Sequence, residues 1–290
     1  MSSASFVCFG EILWDILPDE EVPGGAPMNV AYHLQQLGYK PVVITQVGKD
    51  KKGYVLLEKL NQLNISTTNV LQTSEHQTGI VNAIPQSNGD MKYDIISSVA
   101  WDFIECTETL MNAVRQADYF IFGSLASRNE TSGNTLKKLM SVAGKKILDI
   151  NLRAPHYTET LLAELLDGTD ILKLNEEELI LITDWWGNFE SLESRTVFIA
   201  SKFRLELVIV TRGADGAMVY TDSGFYYQDG IPVKVIDTIG SGDSFLAAFI
   251  ANFAVGKSIE QCLNAATRLG AFVASSKGAW PEYIVEEIIP

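Results

Sequence analysis

The sequence predicts an α/β protein in which helices cover both faces of a mainly parallel central sheet. Two observations predict this class: short apolar runs alternate with helix-like stretches, and these runs are continuous rather than interrupted by polar residues. Continuous runs are typical of strands buried on both faces, and a βα alternation makes such strands parallel. A third observation, two half-polar β-like stretches, predicts a small second sheet, which we interpret as a lid.

The predicted elements begin with a strand at 5–12 and a helix that Pro27 opens and Gly38 ends. A strand at 42–47 and a helix with leucines at 56, 57, 60 and 63 follow. Later strands are predicted at 119–122, 146–150, 171–174 and 205–211, and helices at 131–143, 158–166 and 176–182. β signals then continue to residue 236. Within the lid, Asn88-Gly89 marks a hairpin turn between strands at 80–85 and 91–95.

The 290 residues are predicted to form one domain, 1–290, with lid strands inserted at about 12–23 and 78–104. A formal net charge of −14 argues against nucleic acid or a membrane as partner. The longest uncharged apolar run, 245–255, is too short to span a bilayer. Three widely spaced cysteines and no sign of a signal peptide favour a cytoplasmic protein with free thiols.

Residues 237–245, DTIGSGDSF, lie between a strand-like run at 231–236 and the apolar, helix-like run at 245–255. Two glycines let backbone N–H groups approach a ligand, and a helix N-terminus adds unpaired N–H groups and a positive dipole end. Such a turn suits a phosphate. A carboxylate at Asp243 beside a phosphate suggests a proton acceptor, hence phosphoryl transfer to a hydroxyl. The alternative is an N-capping aspartate after a Gly-rich turn.

Motifs of other enzyme classes are absent. The chain has no G-x-x-x-x-G-K-[ST] loop, no G-x-G-x-x-G after the first strand, no H-x-x-x-H pair and no G-x-S-x-G elbow. His33, His76 and His156 are isolated in sequence, so we expect surface or structural histidines rather than metal ligands.

Two motifs at opposite ends of the chain, GGAPMNVA at 24–31 and DTIGSGD at 237–243, resemble the signatures of the ribokinase-like (PfkB) carbohydrate kinases. Further matches are NLR at 151–153, NEEE at 175–178 and TRGADGA at 211–217. Residues 24–29 and FGSLA at 122–126 look most like fructokinases. Ser241 departs from the family, which usually has alanine there. The resemblance implies a ribokinase-like three-layer α/β/α sandwich with a β-sheet lid.

The resemblance also implies the site. Asp243 would be the general base, and the backbone of Gly240, Ser241 and Gly242 would complete an anion hole with it. The sugar would be bound by Asp15, Gly24, Gly25, Asn29 and Arg153. The nucleotide would be bound by Asn175, Thr211, Gly213, Gly216, Asn264 and Gly278. Glu178 would hold Mg²⁺ through water, and Asp237 and Ser275 are candidate ligands of a monovalent cation such as K⁺.

Structural alternatives stay open for several of these residues. Arg153 would equally serve in an ion pair with Asp149 or a neighbouring glutamate. The glutamates at 176–178 suit the first turn of a helix. A hairpin turn explains Gly213 and Gly216, and a helix-capping glycine explains Gly278.

The expected activity is transfer of the γ-phosphoryl group of ATP to a sugar hydroxyl, with fructose 6-phosphate as the preferred product. The alternatives are a kinase for 2-keto-3-deoxygluconate, ribose or a nucleoside, or a catalytically silent sugar- or nucleotide-sensing module. Apolar lid residues also suggest a homodimer formed through the lid: Ile80, Val81, Ile95 and Ile96.

Overall fold

The computed structural model describes residues 4–85 and 91–289. Its strands are β1 Phe6–Phe9, β2 Leu13–Ile16, β3 Glu21–Gly24, β4 Val42–Gly48, β5 Val70–Thr73, β6 Gly79–Pro85, β7 Met91–Ile95, β8 Tyr119–Gly123, β9 Lys145–Asp149, β10 Ile171–Asn175, β11 Leu207–Thr211, β12 Ala217–Thr221 and β13 Gly224–Gln228. Nine strands form the central sheet in the order β13-β12-β11-β10-β9-β8-β1-β4-β5. All neighbours from β11 to β5 are parallel, and β12 and β13 add an antiparallel edge. The predicted α/β class is confirmed.

Helices cover both faces of this sheet. They are α1 Ala26–Gln36, α2 Lys51–Gln62, α3 Glu108–Arg115, α4 Glu130–Met140, α5 Glu159–Asp167, α6 Glu176–Thr183, α7 Leu192–Phe203, α8 Ser241–Ala254, α9 Ile259–Ala274 and α10 Val285–Ile288. Side chains of β1 alternate between two apolar clusters: Phe6 and Cys8 pack with α1, α2, α8 and α9, whereas Val7 and Phe9 pack with α3–α7. This alternation produces the three layers.

Helix α8 is buried along residues 244–251 because α1 and α9 pack against it. Its continuous apolar run therefore reflects burial on all sides, as the sequence indicates. Since α8 starts beside α1, the two signature motifs meet although about two hundred residues separate them. Among the described helices, none combines the length and apolarity that a bilayer crossing requires.

Four short strands form the separate small sheet, in the order β3-β2-β6-β7, within the two stretches that we interpret as a lid. Strands β2 and β6 pair in parallel, and the other two pairs are antiparallel. The Ile96 N–H still donates to the carbonyl of Ile80 at 3.2 Å, but residues 97–104 do not join this sheet, and 100–103 form a 3₁₀ turn instead. The predicted Asn88-Gly89 turn lies outside the described residues. Of the side chains proposed for a dimer contact, Val81 is buried and Ile80, Ile95 and Ile96 are half-buried.

The strand predicted at 231–236 is wrong. Among the described strands, none pairs with these residues, and their apolar side chains are exposed, Ile236 by 62%. The N–H groups of Ile236 and Asp237 instead donate to the carbonyl of Ala274 at the end of α9. Helix α8 is therefore entered from an extended loop. The sequence pattern also did not predict strand β5 or helices α3, α7, α9 and α10.

Candidate active site

A cavity of about 480 Å³ opens at the carboxyl ends of the parallel strands, beneath the small sheet. Chain segments that follow β1, β8, β9 and β10 reach it, as do the last residue of β11 and the N-terminus of α8. This is the edge at which open parallel sheets bind ligands. The predicted site residues that line it are Asp15, Gly25, Asn29, Arg153, Asn175, Glu178, Thr211, Gly240, Gly242 and Asp243.

The N-terminus of α8 offers unpaired backbone donors to this cavity. Gly240 precedes the helix in the left-handed conformation, with φ +76°, and a Cβ there would lie 2.6 Å from Cβ of Ala279. Within the described chain, the N–H groups of Gly240, Gly242 and Asp243 have no acceptor. The N–H of Ser241 donates to the carbonyl of Thr238, at 3.2 Å, so three of the four predicted anion-hole donors are unpaired.

The Ser241 hydroxyl does not face the cavity. It donates to the carbonyl of Gly270 on α9, at 3.0 Å, and so ties the two helices together. The departure from alanine therefore does not add a hydroxyl to the cavity, since Ser241 contributes a helix–helix hydrogen bond instead.

The Asp243 carboxylate lies in the first turn of α8 at the cavity wall. Burial, with a further contribution from the Asp149 carboxylate, raises the pKa of Asp243 to about 6. Positive charge on Lys173 and Arg153 and a hydrogen bond from Asn29 oppose the rise. The Asn29 amide donates to Oδ2 of Asp243 at 2.7 Å. A carboxylate with a pKa near neutrality has the driving force for accepting a proton at physiological pH.

Four of the five predicted sugar-binding residues lie on β2, β3 and the start of α1, and Arg153 follows β9. Burial raises the pKa of Asp15 to about 6, against the charge of Arg153. A Cβ on Gly24 would lie 2.2 Å from the Asp15 carboxylate, so Gly24 makes room for Asp15 rather than lining the cavity. Gly25, at φ +112°, allows α1 to start against the backbone of Glu11, 2.4 Å from where its Cβ would be.

A third carboxyl group, Glu11, enters the cavity directly after β1. Its Oε1 accepts from the Ala26 N–H at 3.3 Å, while Oε2 is buried without a partner in the described chain. Burial raises the pKa of Glu11 to about 7. This side chain is 3% exposed, so the neutral acid is favoured in the folded protein up to neutral pH.

A buried ion pair lies next to the start of α8. Lys173 Nζ donates to Oδ2 of Asp149 at 2.7 Å, and both side chains are under 10% exposed. Burial acts to lower the pKa of Lys173, but the carboxylates of Asp149 and Asp243 outweigh it, so the pKa is raised and the charge is kept. A Cβ added to Gly242 would lie 3.2 Å from the Lys173 amine. The positive charge of Lys173 is therefore held beside the N-terminus of α8.

Arg153 is exposed in the cavity. Its predicted alternative, an ion pair with Asp149, is not formed, because Asp149 pairs with Lys173. Within residues 4–85 and 91–289, no carboxylate pairs with Arg153, whose guanidinium donates to the carbonyl of its neighbour Leu152 at 3.0 Å. The cation is therefore available to an anionic group in the cavity.

Glu178 and Asn175 form a reciprocal capping box at the start of α6. The Glu178 carboxylate accepts from the backbone N–H groups of Leu152 at 2.7 Å and Asn175 at 2.9 Å. Burial raises the pKa of Glu178, with a further contribution from Asp149. Asn175 and Glu178 therefore do begin a helix, as the structural alternative predicts. The same two residues also line the cavity.

The residues predicted for the nucleotide side are not all at the cavity. Thr211 lines it, whereas Gly213 and Gly216 form the turn between β11 and β12, where a Cβ on Gly216 would lie 2.0 Å from the Gln228 carbonyl. Asn264 is exposed on α9 and accepts from Arg268. Gly278 lines a second cavity, of about 400 Å³, between α1, β3 and the end of α2.

The two candidate ligands of a monovalent cation have protein partners. Asp237 accepts from the N–H of Ile239 at 3.0 Å and from that of Gly278 at 3.1 Å. The Ser275 hydroxyl donates to the carbonyl of Phe272 at 2.8 Å. Asp237 thereby joins the loop before α8 to the loop after α9.

Comparison with known families places the chain. The model of the family described as "pfkB family carbohydrate kinase" matches residues 16–282, more than nine-tenths of the sequence. This protein belongs to the pfkB family. It is a sugar phosphotransferase, as the two signature motifs predict.

Relatives of this pfkB kinase include fructokinases. A protein named probable fructokinase-6, chloroplastic, of Arabidopsis thaliana is 27% identical, over 98% of this chain and 80% of its own length. The fructokinase of Salmonella typhimurium is also 27% identical, over 93% of each chain. The solved fructokinase of Vibrio cholerae O395, in a form with fructose, ADP and calcium bound, is 22% identical with a TM-score of 0.85 over the full length of both chains. This likeness confirms the ribokinase-like fold.

Sequence reasoning about this pfkB kinase missed several residues of the cavity, chiefly Glu11, Asp149 and Lys173. One signal was available: Lys173 is the only charged residue inside the apolar run ILKL, and a charge in a strand buried on both faces requires a partner. Tyr93 and Ile95 on β7 also line the cavity from the small sheet. Their positions depend on the pairing of β6 with β7.

Proposed function

We propose that this protein phosphorylates a sugar hydroxyl with ATP, and that fructose, converted to fructose 6-phosphate, is its substrate. The observation that carries the proposal is the position of Asp243. Its carboxylate, with a pKa of about 6, shares one cavity with three unpaired backbone N–H groups and with the sugar-side residues Asp15 and Gly25. The fructokinase names of the relatives support the choice of sugar.

In this proposal Asp243 accepts the proton of the attacking hydroxyl. The N–H groups of Gly240, Gly242 and Asp243 donate to the oxygens of the transferred phosphoryl group, and Lys173 adds a positive charge beneath them. Asp15 orients the sugar by accepting hydroxyl hydrogens, and Asn29 holds Asp243. The lid covers the sugar, and Tyr93 and Ile95 exclude water from the reacting groups.

Magnesium fits the residues present. Mg²⁺ is usually held by one or two carboxylates together with substrate phosphates and waters, so the lack of a three-ligand cluster among the described residues is compatible with it. Glu178 and the unpartnered buried Oδ1 of Asp149 supply such carboxylate oxygens at the cavity. Bound Mg²⁺ neutralises charge on the phosphates.

Asp237 and Ser275 remain proposed ligands of K⁺. The free cysteines at 8, 106 and 262 support the proposed cytoplasmic location.

The test is the Asp243→Asn variant assayed by ADP release. Loss of the general base is expected to lower kcat roughly 10²- to 10⁴-fold while fructose still binds, as measured by calorimetry. A variant with wild-type kcat would remove Asp243 from this role. A screen over fructose, ribose, tagatose, 2-keto-3-deoxygluconate and nucleosides, with Asp243→Asn as the blank, tests the sugar.

One observation favours a second candidate, a sugar acid such as 2-keto-3-deoxygluconate. Arg153 is an unpaired cation in the cavity, and a guanidinium binds a carboxylate in a bidentate manner. Under this alternative Arg153→Ala abolishes activity on the sugar acid, and the wild-type protein does not phosphorylate fructose. If fructose is the substrate, Arg153→Ala is expected to change the nucleotide-dependent kinetic steps rather than recognition of the sugar.

A further inference from the structure

The segment that follows α9, residues 279–283, is held against α1 by hydrogen bonds. The Tyr32 hydroxyl donates to the carbonyl of Pro281 at 2.8 Å. His33 is fully buried, and its ring nitrogens lie 3.0 Å from the Ala279 carbonyl and 2.9 Å from the Tyr283 hydroxyl. Burial lowers the pKa of His33 to about 3, so a neutral ring donates to Ala279 and accepts from Tyr283. The attachment is therefore independent of pH near neutrality.

Trp280, within this segment, is connected to the general base. Its indole Nε1–H donates to Oδ1 of Asn29 at 2.8 Å, and Nδ2 of Asn29 donates to Oδ2 of Asp243 at 2.7 Å. The Trp280 ring stacks on Tyr32, with centroids 5.6 Å apart and planes 12° apart. Asn29 is 4% exposed, so its amide is largely shielded from bulk water.

The chemistry of the indole fixes which way the Asn29 amide faces. An indole N–H only donates, so it requires the amide oxygen, and the amide NH₂ is then directed at the Asp243 carboxylate. Without the indole N–H, the amide can turn over and place its oxygen against a carboxylate. Oδ1 of Asp243 accepts no hydrogen bond from the described residues, so the Asn29 contact leaves this oxygen for the substrate hydroxyl.

We propose that Trp280 is a positioning residue for phosphoryl transfer: through Asn29 it holds Asp243 by Oδ2 and leaves Oδ1 directed at the acceptor hydroxyl. The proposal rests on the proposed function for its kinetic consequences. It assigns Asn29 primarily to the base rather than to the sugar.

Charged groups from five segments face Asp243 and set its titration together with Asn29. They are Glu11 after β1, Asp15 on β2, Asp149 on β9, Arg153 after β9 and Lys173 on β10. Asn29 acts to lower the pKa of Asp243, since its N–H stabilises the carboxylate. Loss of this donor therefore raises that pKa, and activity that needs the carboxylate is lost at a higher pH than in the wild-type enzyme.

The kinetic test is Trp280→Phe, which keeps a ring on Tyr32 and removes the N–H. We expect kcat to fall about 10-fold at neutral pH, the effect of losing one hydrogen bond to a charged group. We also expect the acidic limb of the pH profile to move to higher pH.

The matched control is Tyr32→Phe. It removes a hydrogen bond from the same segment without contacting Asn29, so it lowers the melting temperature and leaves kcat and the acidic limb unchanged. Equal kcat losses in both variants, or a wild-type profile in Trp280→Phe, would overturn the proposal.

A second measurement requires neither activity nor a folded Trp280 variant. The chain has five tryptophans, and their indole N–H resonances can be followed by ¹⁵N NMR in the full-length wild-type protein. One indole resonance should titrate with a midpoint near pH 6 and become insensitive to pH in Asp243→Asn. If no indole resonance depends on Asp243, the connection does not exist. A titrating resonance in a protein that phosphorylates no sugar would contradict the proposed function and leave the Trp280–Asn29–Asp243 connection in place.

Discussion

Several carboxyl groups of this site have raised pKa values, and Glu11 is the clearest case. Its folded pKa of about 7 exceeds the ordinary value of 4.5, because Oε2 is buried without a partner in the described chain. A carboxyl group with a raised pKa contributes stability that is fully present below its unfolded pKa. That contribution is lost as the pH rises through the folded pKa, here about 7.

Glu11→Gln should therefore stabilise the protein at alkaline pH only. At pH 8.5 the wild type carries a buried, poorly solvated carboxylate whose cost is about 3 kcal/mol, and glutamine removes it. At pH 5 the wild-type side chain is neutral, and we expect little difference between the two proteins. Urea unfolding at both pH values measures this, with the exposed Glu58→Gln as control. A stability difference that does not change with pH would show that ionisation of Glu11 is not its cause.

Some residues of the candidate site can be predicted from the sequence and others cannot. Asp243, Asp15 and Asn29 were predicted because short motifs, and a resemblance built on them, mark their positions. Trp280 could not be predicted, since its partner Asn29 lies 251 positions away in the chain and no local pattern specifies an indole N–H. The buried pair of Lys173 with Asp149 falls between these cases: the chain shows an isolated charge in an apolar strand but not its partner.

At the scale of elements, the start of α8 depends on one backbone conformation. Gly240 and Gly256 flank this helix, and both have φ +76°. A Cβ on Gly256 would have nothing within 4 Å, whereas one on Gly240 would overlap Ala279 at 2.6 Å. Alanine substitutions at these two glycines therefore distinguish the effect of backbone strain from the effect of crowding at the proposed anion-binding turn.

Gly256→Ala should cost about 1 kcal/mol of stability, because alanine is strained at this φ, and should leave kcat unchanged. Gly240→Ala should cost about 1–3 kcal/mol more, the usual effect of overpacking, and should also lower kcat, since the clash displaces an unpaired N–H from the cavity. Urea midpoints and ADP release measure both effects. Equal kcat values in the two variants would show that the N–H groups of this turn need no exact placement.

Elements were predicted well where burial imposes a pattern and poorly where it does not. Most of the parallel strands and α8 follow from continuous apolar runs, and the four-stranded small sheet follows from half-polar stretches, whereas the short edge strand β5 was not predicted. The run at 231–236 has the same local signal as a strand, yet a strand also requires a partner, and the described part of the chain places none beside these exposed residues. The parallel pairing of β2 with β6 likewise depends on segments more than sixty residues apart.

At the scale of the whole molecule, the protein and its proposed co-substrate carry charge of the same sign. The chain has a net charge of −14, and the cavity contains five carboxyl groups, Glu11, Asp15, Asp149, Glu178 and Asp243, against the two cations Arg153 and Lys173. Any triphosphate must therefore approach against a negative field until the local N–H donors and cations bind it. Salt screens such long-range repulsion.

The expected result is that kcat/KM for the nucleotide, at saturating Mg²⁺, rises about twofold between low salt and about 0.15 M tetramethylammonium chloride. This salt avoids the proposed K⁺ site. The neutral sugar is the internal control, because its KM should not respond to screening. A sugar acid, as an anion, should respond as the nucleotide does, so one salt series also bears on the second candidate substrate. A several-fold fall of kcat/KM for the nucleotide would instead show that Arg153 and Lys173 attract it from a distance and that the carboxyl groups are neutralised in the resting site.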